Sequence, residues 1–258
     1  MTKKAAEPVR KDKVDQLNVE VYANRSELGA AAGSDVAGKM KELLGRQDRV
    51  RMVFAAAPSQ NEFLSTLKAV PEIDWSRVTA FHMDEYIGLP ADAPQRFGTF
   101  LCRGLFDEVK PGEVHLIDSS NDIEAEAKRY AGLIQEAPID IVCLGIGENG
   151  HLAFNDPPVA DFEDRALVKS VELDLACRQQ QVNDGCFAAL EEVPTHALTL
   201  TIPALMAGAH LYCMVPGLTK TAAVRRTLNG SISTECPSTA LRRHSHCTLY
   251  ADRDSYGE

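Results

Sequence analysis

The chain has no stretch that suits a membrane span. Its long uncharged run, Ala197 to Gly217, is broken by Pro203, Gly208, His210 and Pro216. A span needs about 20 predominantly apolar residues, and this run divides instead into strand, turn and strand. The segment Met1 to Lys13 is polar and charged, without the apolar centre of a secretory signal. A CxxC pair is missing too: the seven cysteines are scattered and odd in number, which points to reduced thiols in a cytoplasmic protein. Basic residues are short as well, 27 Lys and Arg against 37 Asp and Glu, for a net charge of −10. Such a chain is a poor partner for nucleic acid or an anionic membrane, and any phosphate it binds must be held by local geometry. Walker A, G-x-S-x-G and H-E-x-x-H patterns are all missing. His244-x-His246 is the only close histidine pair, and no Cys/His set has zinc spacing, so neither a metal nor an organic cofactor is expected.

What remains is ordinary globular material, 45% hydrophobic and 25% charged over 258 residues. A domain of this size buries roughly three quarters of its unfolded surface and needs no staples. Apolar runs at Leu17–Ala23, Arg51–Ala56, Val78–His82, Ile139–Gly145, Leu198–Ile202 and Leu211–Val215 predict strands. Amphipathic helical patterns separate them, at Ser26–Leu44, Asn61–Val70, Thr99–Glu108, Asp122–Gln135, Leu173–Leu190 and Thr219–Leu228. Ile139 to Leu144 is almost continuously apolar, as in strands covered on both faces. The alternation predicts an α/β fold: a single doubly wound, mostly parallel sheet with helices on both faces. With no repeat or long linker, residues 14–258 form one domain and 1–13 a flexible tail. Pro157-Pro158 interrupts the alternation and is expected to launch a helical lid.

Open α/β sheets bind ligands beyond the carboxyl ends of their strands, so the residues following each apolar run are the candidates. After Val78–His82 come Asp84 and Glu85, and a carboxylate at the lip of an apolar strand is desolvated toward a useful base. The alternative is a turn in which Asp84 or Glu85 caps a backbone amine. After Ile139–Leu144, Gly145, Gly147 and Gly150 spell G-x-G-x-x-G, with Glu172 at a tolerable distance for an acidic partner. That dinucleotide fingerprint needs a helix to open at the third glycine, and Asn155-Asp156-Pro157-Pro158 forbids one. A glycine turn that lets the backbone approach a ligand, carrying His151 and then Asp156, is what remains. After Arg51–Ala56, Ala57-Pro58-Ser59 leads into a helix, so Ser59 either caps that helix or lines an anion site. Lys220, at the start of the helix after Leu211–Val215, either reaches the same anion or is a surface lysine.

Two blocks, MDEYIGLP at 83–90 and GIGENGHLAFNDP at 145–157, resemble the signatures of the glucosamine-6-phosphate deaminases. That family belongs to the sugar-phosphate isomerase and 6-phosphogluconolactonase superfamily. The resemblance extends through ALTLTIPALM at 197–206, PGLTKTAAV at 216–224 and STALRRH at 238–244. It implies that Asp84 is the base moving a proton between two sugar carbons and that His151 is the ring-opening acid/base. Asp156, where the family usually has Glu, orients that histidine; Asn149 stands where many members have Asp. Lys220, Ser59 and Gly147 fall in the substrate- and phosphate-binding set. The family's T-G-G-T phosphate loop reads Ala56-Ala57-Pro58-Ser59 here, and an arginine expected near Asn183-Asp184-Gly185 is missing, leaving Arg178 as the nearest substitute. Leu167 stands where allosterically activated hexameric members carry an arginine, which argues against that regulation.

The implied activity is conversion of glucosamine 6-phosphate and water to fructose 6-phosphate and ammonia, by an enzyme taking a small phosphosugar; assembly into a homo-oligomer is compatible with the resemblance. A 6-phosphogluconolactonase, a deaminase of another amino-sugar phosphate and a non-catalytic sugar-phosphate sensor are the alternatives. The MDEY and FNDP sequences resemble the deaminase side, and nothing basic or helix-turn-helix-like supports a DNA-binding sensor.

Overall fold

The structure, a computed structural model, describes residues 6–258. Its strands are β1 (Arg10–Val14), β2 (Leu17–Tyr22), β3 (Val50–Phe54), β4 (Val78–His82), β5 (Asp84–Tyr86), β6 (Glu113–His115), β7 (Ile141–Leu144), β8 (Val168–Glu172), β9 (His196–Leu200), β10 (His210–Val215) and β11 (Cys247–Asp252). Its α-helices are α1 (Arg25–Leu44), α2 (Asn61–Ala69), α3 (Phe97–Leu101), α4 (Asp107–Val109), α5 (Ile123–Gln135), α6 (Leu175–Asn183), α7 (Ile202–Met206), α8 (Thr221–Asn229) and α9 (Arg253–Tyr256). Eight strands make one sheet in the order β1-β2-β11-β10-β7-β3-β4-β6. Every neighbouring pair is parallel except the β1–β2 hairpin at one edge.

The central strands β3, β4 and β7 are buried at every position, which is why their sequences run apolar without alternation. Successive side chains still feed opposite layers. Met52 and Phe54 join a core with Leu28, Val36 and Met40 of α1, while Val53 joins one with Tyr130 of α5 and Val224 of α8. Each such buried side chain contributes about 1.5–3 kcal/mol, so the two layers hold the sheet without covalent help. The doubly wound, mostly parallel α/β sheet expected from the sequence is therefore present.

A second, three-stranded antiparallel sheet, β5-β9-β8, stands beside the first. Met83 is the single residue between β4 and β5: its N–H donates to Phe54 O (3.3 Å) and its carbonyl accepts from Leu200 N (2.7 Å). Asp84 thus begins the small sheet at the lip of the large one.

Three expectations need correction. Residues 10–13, expected in a flexible tail, form most of edge strand β1, because their backbone pairs with β2 and Lys11 meets Glu20 at 2.6 Å; residues 1–5 of that tail lie outside the described residues. The strand expected at Leu198–Ile202 lies at His196–Leu200 in the small antiparallel sheet, since Ile202 already opens α7 behind the Thr201 cap. The lid helix expected to reach Leu190 ends at Asn183, where Gly185 takes a left-handed φ of 74°.

Candidate active site

Segments leaving β3, β4, β7 and β10 at their carboxyl ends converge with α6 on a cavity of about 240 Å³. Of the residues singled out in the sequence, Ser59, Asp84, Gly147, His151 and Lys220 line it. No helix follows the 145–151 turn until after β8, consistent with the rejected dinucleotide reading.

The adjacent carboxylates of the MDEY block divide their work. Glu85 is fully buried and accepts from the N–H groups of Tyr86 (3.0 Å), Phe97 (3.1 Å) and Gly98 (3.0 Å), with Arg96 Nε 3.6 Å away. It fastens the N-terminus of α3 to β5 and accounts for the capping role. Asp84 is buried too, yet its carboxylate has no hydrogen-bond partner among the described residues. Burial, and secondarily the charge of Glu85, push the Asp84 carboxyl well above its ordinary value. Such a carboxylate is a stronger base than one in water.

Across the cavity the glycine loop folds back on itself, Gly147 N donating to His151 O (3.0 Å) and Gly150 N to Gly147 O (2.9 Å). This sets His151 Nδ1 2.9 Å from Asp156 Oδ1. Asn149 lies behind both: its Nδ2 donates to Asp156 Oδ1 (2.8 Å) and its Oδ1 accepts from His151 N (3.0 Å). Burial pushes the Asp156 carboxyl up, but His151, Asn149 and Cys177 outweigh that and hold it below the usual carboxylate value. Asp156 is therefore an anion facing one ring nitrogen, leaving the other for the cavity wall. Gly147 is required by close approach, since a Cβ there would lie 2.2 Å from His151 Cε1.

At the far end, Lys220 is 5% exposed and has no hydrogen-bond or ion-pair partner among the described residues. Burial lowers its affinity for the proton, opposed in part by Asp184 and Glu148. Ser59 sits on the Pro58–Gln60 turn before α2, its Oγ accepting from Gln60 Nε2 at 3.1 Å.

Arg178 is not part of this wall, contrary to its expected phosphate role. Its guanidinium donates to the carbonyls of Leu190 (2.7 Å) and Val193 (2.9 Å), tying α6 to the loop after it. Two α6 glutamines line the cavity in its stead. Gln180 is engaged, accepting from Glu148 N (2.8 Å), whereas the Gln181 amide has no side-chain partner among the described residues. Arg25 also reaches the cavity, clasped by both Glu62 oxygens and Pro58 O. It follows β2, so the rule of searching after each apolar run contained it. No sequence signal marked Gln181.

Comparison with known proteins agrees with this architecture. The family model for glucosamine-6-phosphate isomerases/6-phosphogluconolactonase matches residues 23–250. Glucosamine-6-phosphate deaminases of Bacillus cereus (strain G9842) and Bacillus thuringiensis (strain Al Hakam) are each 35% identical over 185 residues, covering 71% of this chain and 69% of theirs. The structure of a monomeric glucosamine-6-phosphate deaminase superposes with a TM-score of 0.85 at 28% identity, covering 93% of this chain and 98% of that one. A 6-phosphogluconolactonase from Thermotoga maritima shares the fold, with a TM-score of 0.75 at 20% identity over 92% of this chain and 99% of its own.

Proposed function

The chain belongs to the glucosamine-6-phosphate isomerase/6-phosphogluconolactonase family, and on that premise we propose that it is a deaminating aldose–ketose isomerase. Its substrates are glucosamine 6-phosphate and water, its products fructose 6-phosphate and ammonia. The observation that carries the reading is a free buried carboxylate, Asp84, sharing one cavity with a histidine backed by an anion, His151 with Asp156.

In this reading His151 takes the proton of the anomeric hydroxyl and delivers one to the ring oxygen, opening the pyranose. Asp84 then removes the proton from the nitrogen-bearing carbon and returns it to the neighbouring aldehyde carbon, while the amino nitrogen gives up a proton and the aldehyde oxygen takes one, leaving a hydroxymethyl group beside an imine. The resulting imine adds water and expels ammonia, leaving the ketone. Asp156 and Asn149 position His151 as it shuttles protons. Lys220, Ser59 and the free Gln181 amide hold the phosphate, turning remote binding energy into orientation at the reacting carbons. Each acid–base step is worth about 10²–10⁴-fold.

The test is release of ammonia and fructose 6-phosphate by the parent, Asp84→Asn and His151→Asn, beside an epimeric amino-sugar phosphate and 6-phosphogluconolactone. Turnover of glucosamine 6-phosphate falling by at least about 10²-fold in both folded variants is expected. An unaffected Asp84→Asn would remove Asp84 from the mechanism, and preference for another member of the panel would overturn the substrate.

A further inference from the structure

Behind the cavity wall, His151, Asp156 and Cys177 offer a nitrogen, an oxygen and a sulfur that all lie within 4.8 Å of one another. The three come from separate segments: the glycine loop, the turn after Phe154, and lid helix α6. All three residues are buried. His151 Nδ1 faces Asp156 Oδ1 at 2.9 Å within the trio, while the second carboxylate oxygen, Asp156 Oδ2, has no hydrogen-bond partner among the described residues, although burying a polar atom unpaired is normally avoided.

We propose that these residues form a site for a borderline-soft divalent cation of the zinc class, which reversibly silences the histidine. The donor set suits zinc, which takes nitrogen, carboxylate oxygen and thiolate at about 2.0–2.3 Å, whereas magnesium and calcium prefer oxygen alone. The charges balance. The Cys177 thiol releases its proton to water, and with the Asp156 carboxylate and a neutral His151 the buried site is neutral overall. Access is past His151, the member of the trio on the cavity wall, and a water completes the tetrahedron. With Nδ1 bound to the metal, the imidazole keeps its proton on Nε2 and no longer accepts one from a substrate. The metal also ties α6 to the glycine loop. Only the effect on turnover rests on the proposed function; the site itself rests on the three donors.

The probe is Co²⁺ added to the purified, chelator-treated full chain. One equivalent is expected to give a thiolate-to-cobalt charge-transfer band in the near ultraviolet, removed by Zn²⁺. Cys177→Ser and Cys177→Ala lose the band, and Cys236→Ser keeps it. Zn²⁺ also slows amide exchange across residues 175–183, and its inhibition of turnover is reversed by chelator. Removing a ligand shifts the inhibitory zinc concentration at least about tenfold in the Cys177 variants, since even outer partners of a metal site are worth 10–100-fold. A missing band, or a band or zinc sensitivity that persists in both Cys177 variants, overturns the site. A parent that shows the band yet turns over no amino-sugar phosphate overturns the function while leaving the site intact.

Discussion

Gly147→Ala probes the histidine without touching its chemistry. The added Cβ would stand 2.2 Å from His151 Cε1 and 2.3 Å from both ring nitrogens. Carbon contacts settle at about 3.5 Å, so the ring must retreat by roughly 1.3 Å. It cannot do so in place, because Nδ1 is already 2.9 Å from the Asp156 carboxylate. Gly147 does not have the positive φ of Gly150, so the alanine backbone is itself unstrained. Overpacking of this kind costs about 1–3 kcal/mol, which a domain of this size survives. Misplacing a catalytic group by about 1 Å costs about 10²-fold in rate. We therefore expect kcat for fructose 6-phosphate formation to fall by about 10²-fold with KM little changed, because the phosphate end of the cavity is untouched. Gly132→Ala on α5, where a Cβ meets nothing within 4 Å, is the control, with unchanged kcat and a gain of about 1 kcal/mol. A folded Gly147→Ala protein with the parent's kcat would refute the placement of His151 as an acid–base group.

Two further outcomes concern buried titratable groups. His82 is fully buried, its Nε2 accepting from Ile117 N at 2.8 Å, and burial pushes its pKa down to about 3. The unfolded chain titrates near 6.5, so between these values the unfolded state binds the extra proton and stability rises with pH. That contribution is about 1.4 kcal/mol per pH unit, complete above about pH 6.5 and lost as pH falls toward about 3. His82→Gln, which keeps an acceptor for Ile117, is expected to flatten the urea midpoint between about pH 4 and 6; an unchanged slope would place the acid sensitivity elsewhere. Lys220→Met removes a buried, unpaired cation and is expected to raise KM by about tenfold or more while leaving thermal stability equal or higher at neutral pH. A KM equal to the parent's would exclude Lys220 from phosphate binding.

The central sheet was legible because burial on two faces leaves only one kind of sequence. Val78–His82 was read to the residue, every one of its positions being buried. Edges were not legible. Arg10–Val14 is five mostly charged residues with no apolar alternation, and only its pairing with β2 makes it a strand. Glu113–His115 is three residues with no buried position. That Asp84 and His151 line the candidate cavity was legible because each follows a buried strand, where an open sheet presents its ligands. The division between Asp84 and Glu85 could not, since it depends on α3 bringing the N–H groups of Phe97 and Gly98 to Glu85. Arg178 misled for the same reason: helical position does not say that the carbonyls of Leu190 and Val193 will claim the guanidinium.

The global charge of −10 opposes a sugar phosphate, so the attraction has to be built locally. Of the two cations in the cavity wall, Arg25 is neutralised by its two-oxygen clasp on Glu62 and adds little net field. Lys220 differs in being 5% exposed and unpaired among the described residues. A lysine in water would be screened over about 8–10 Å by salt, whereas a buried ammonium acts through a lower dielectric at short range. An unpaired buried charge is destabilising, and Asp184 and Glu148 relieve that only from a distance. Under the proposed function, a phosphate arriving beside Lys220 would supply the missing half of a buried ion pair, so the ligand would relieve the cost of the unpaired charge. In the proposed reading that is how an acidic chain selects an anion by position, and the lone lysine, rather than an arginine cluster, is the residue on which phosphate affinity is expected to turn.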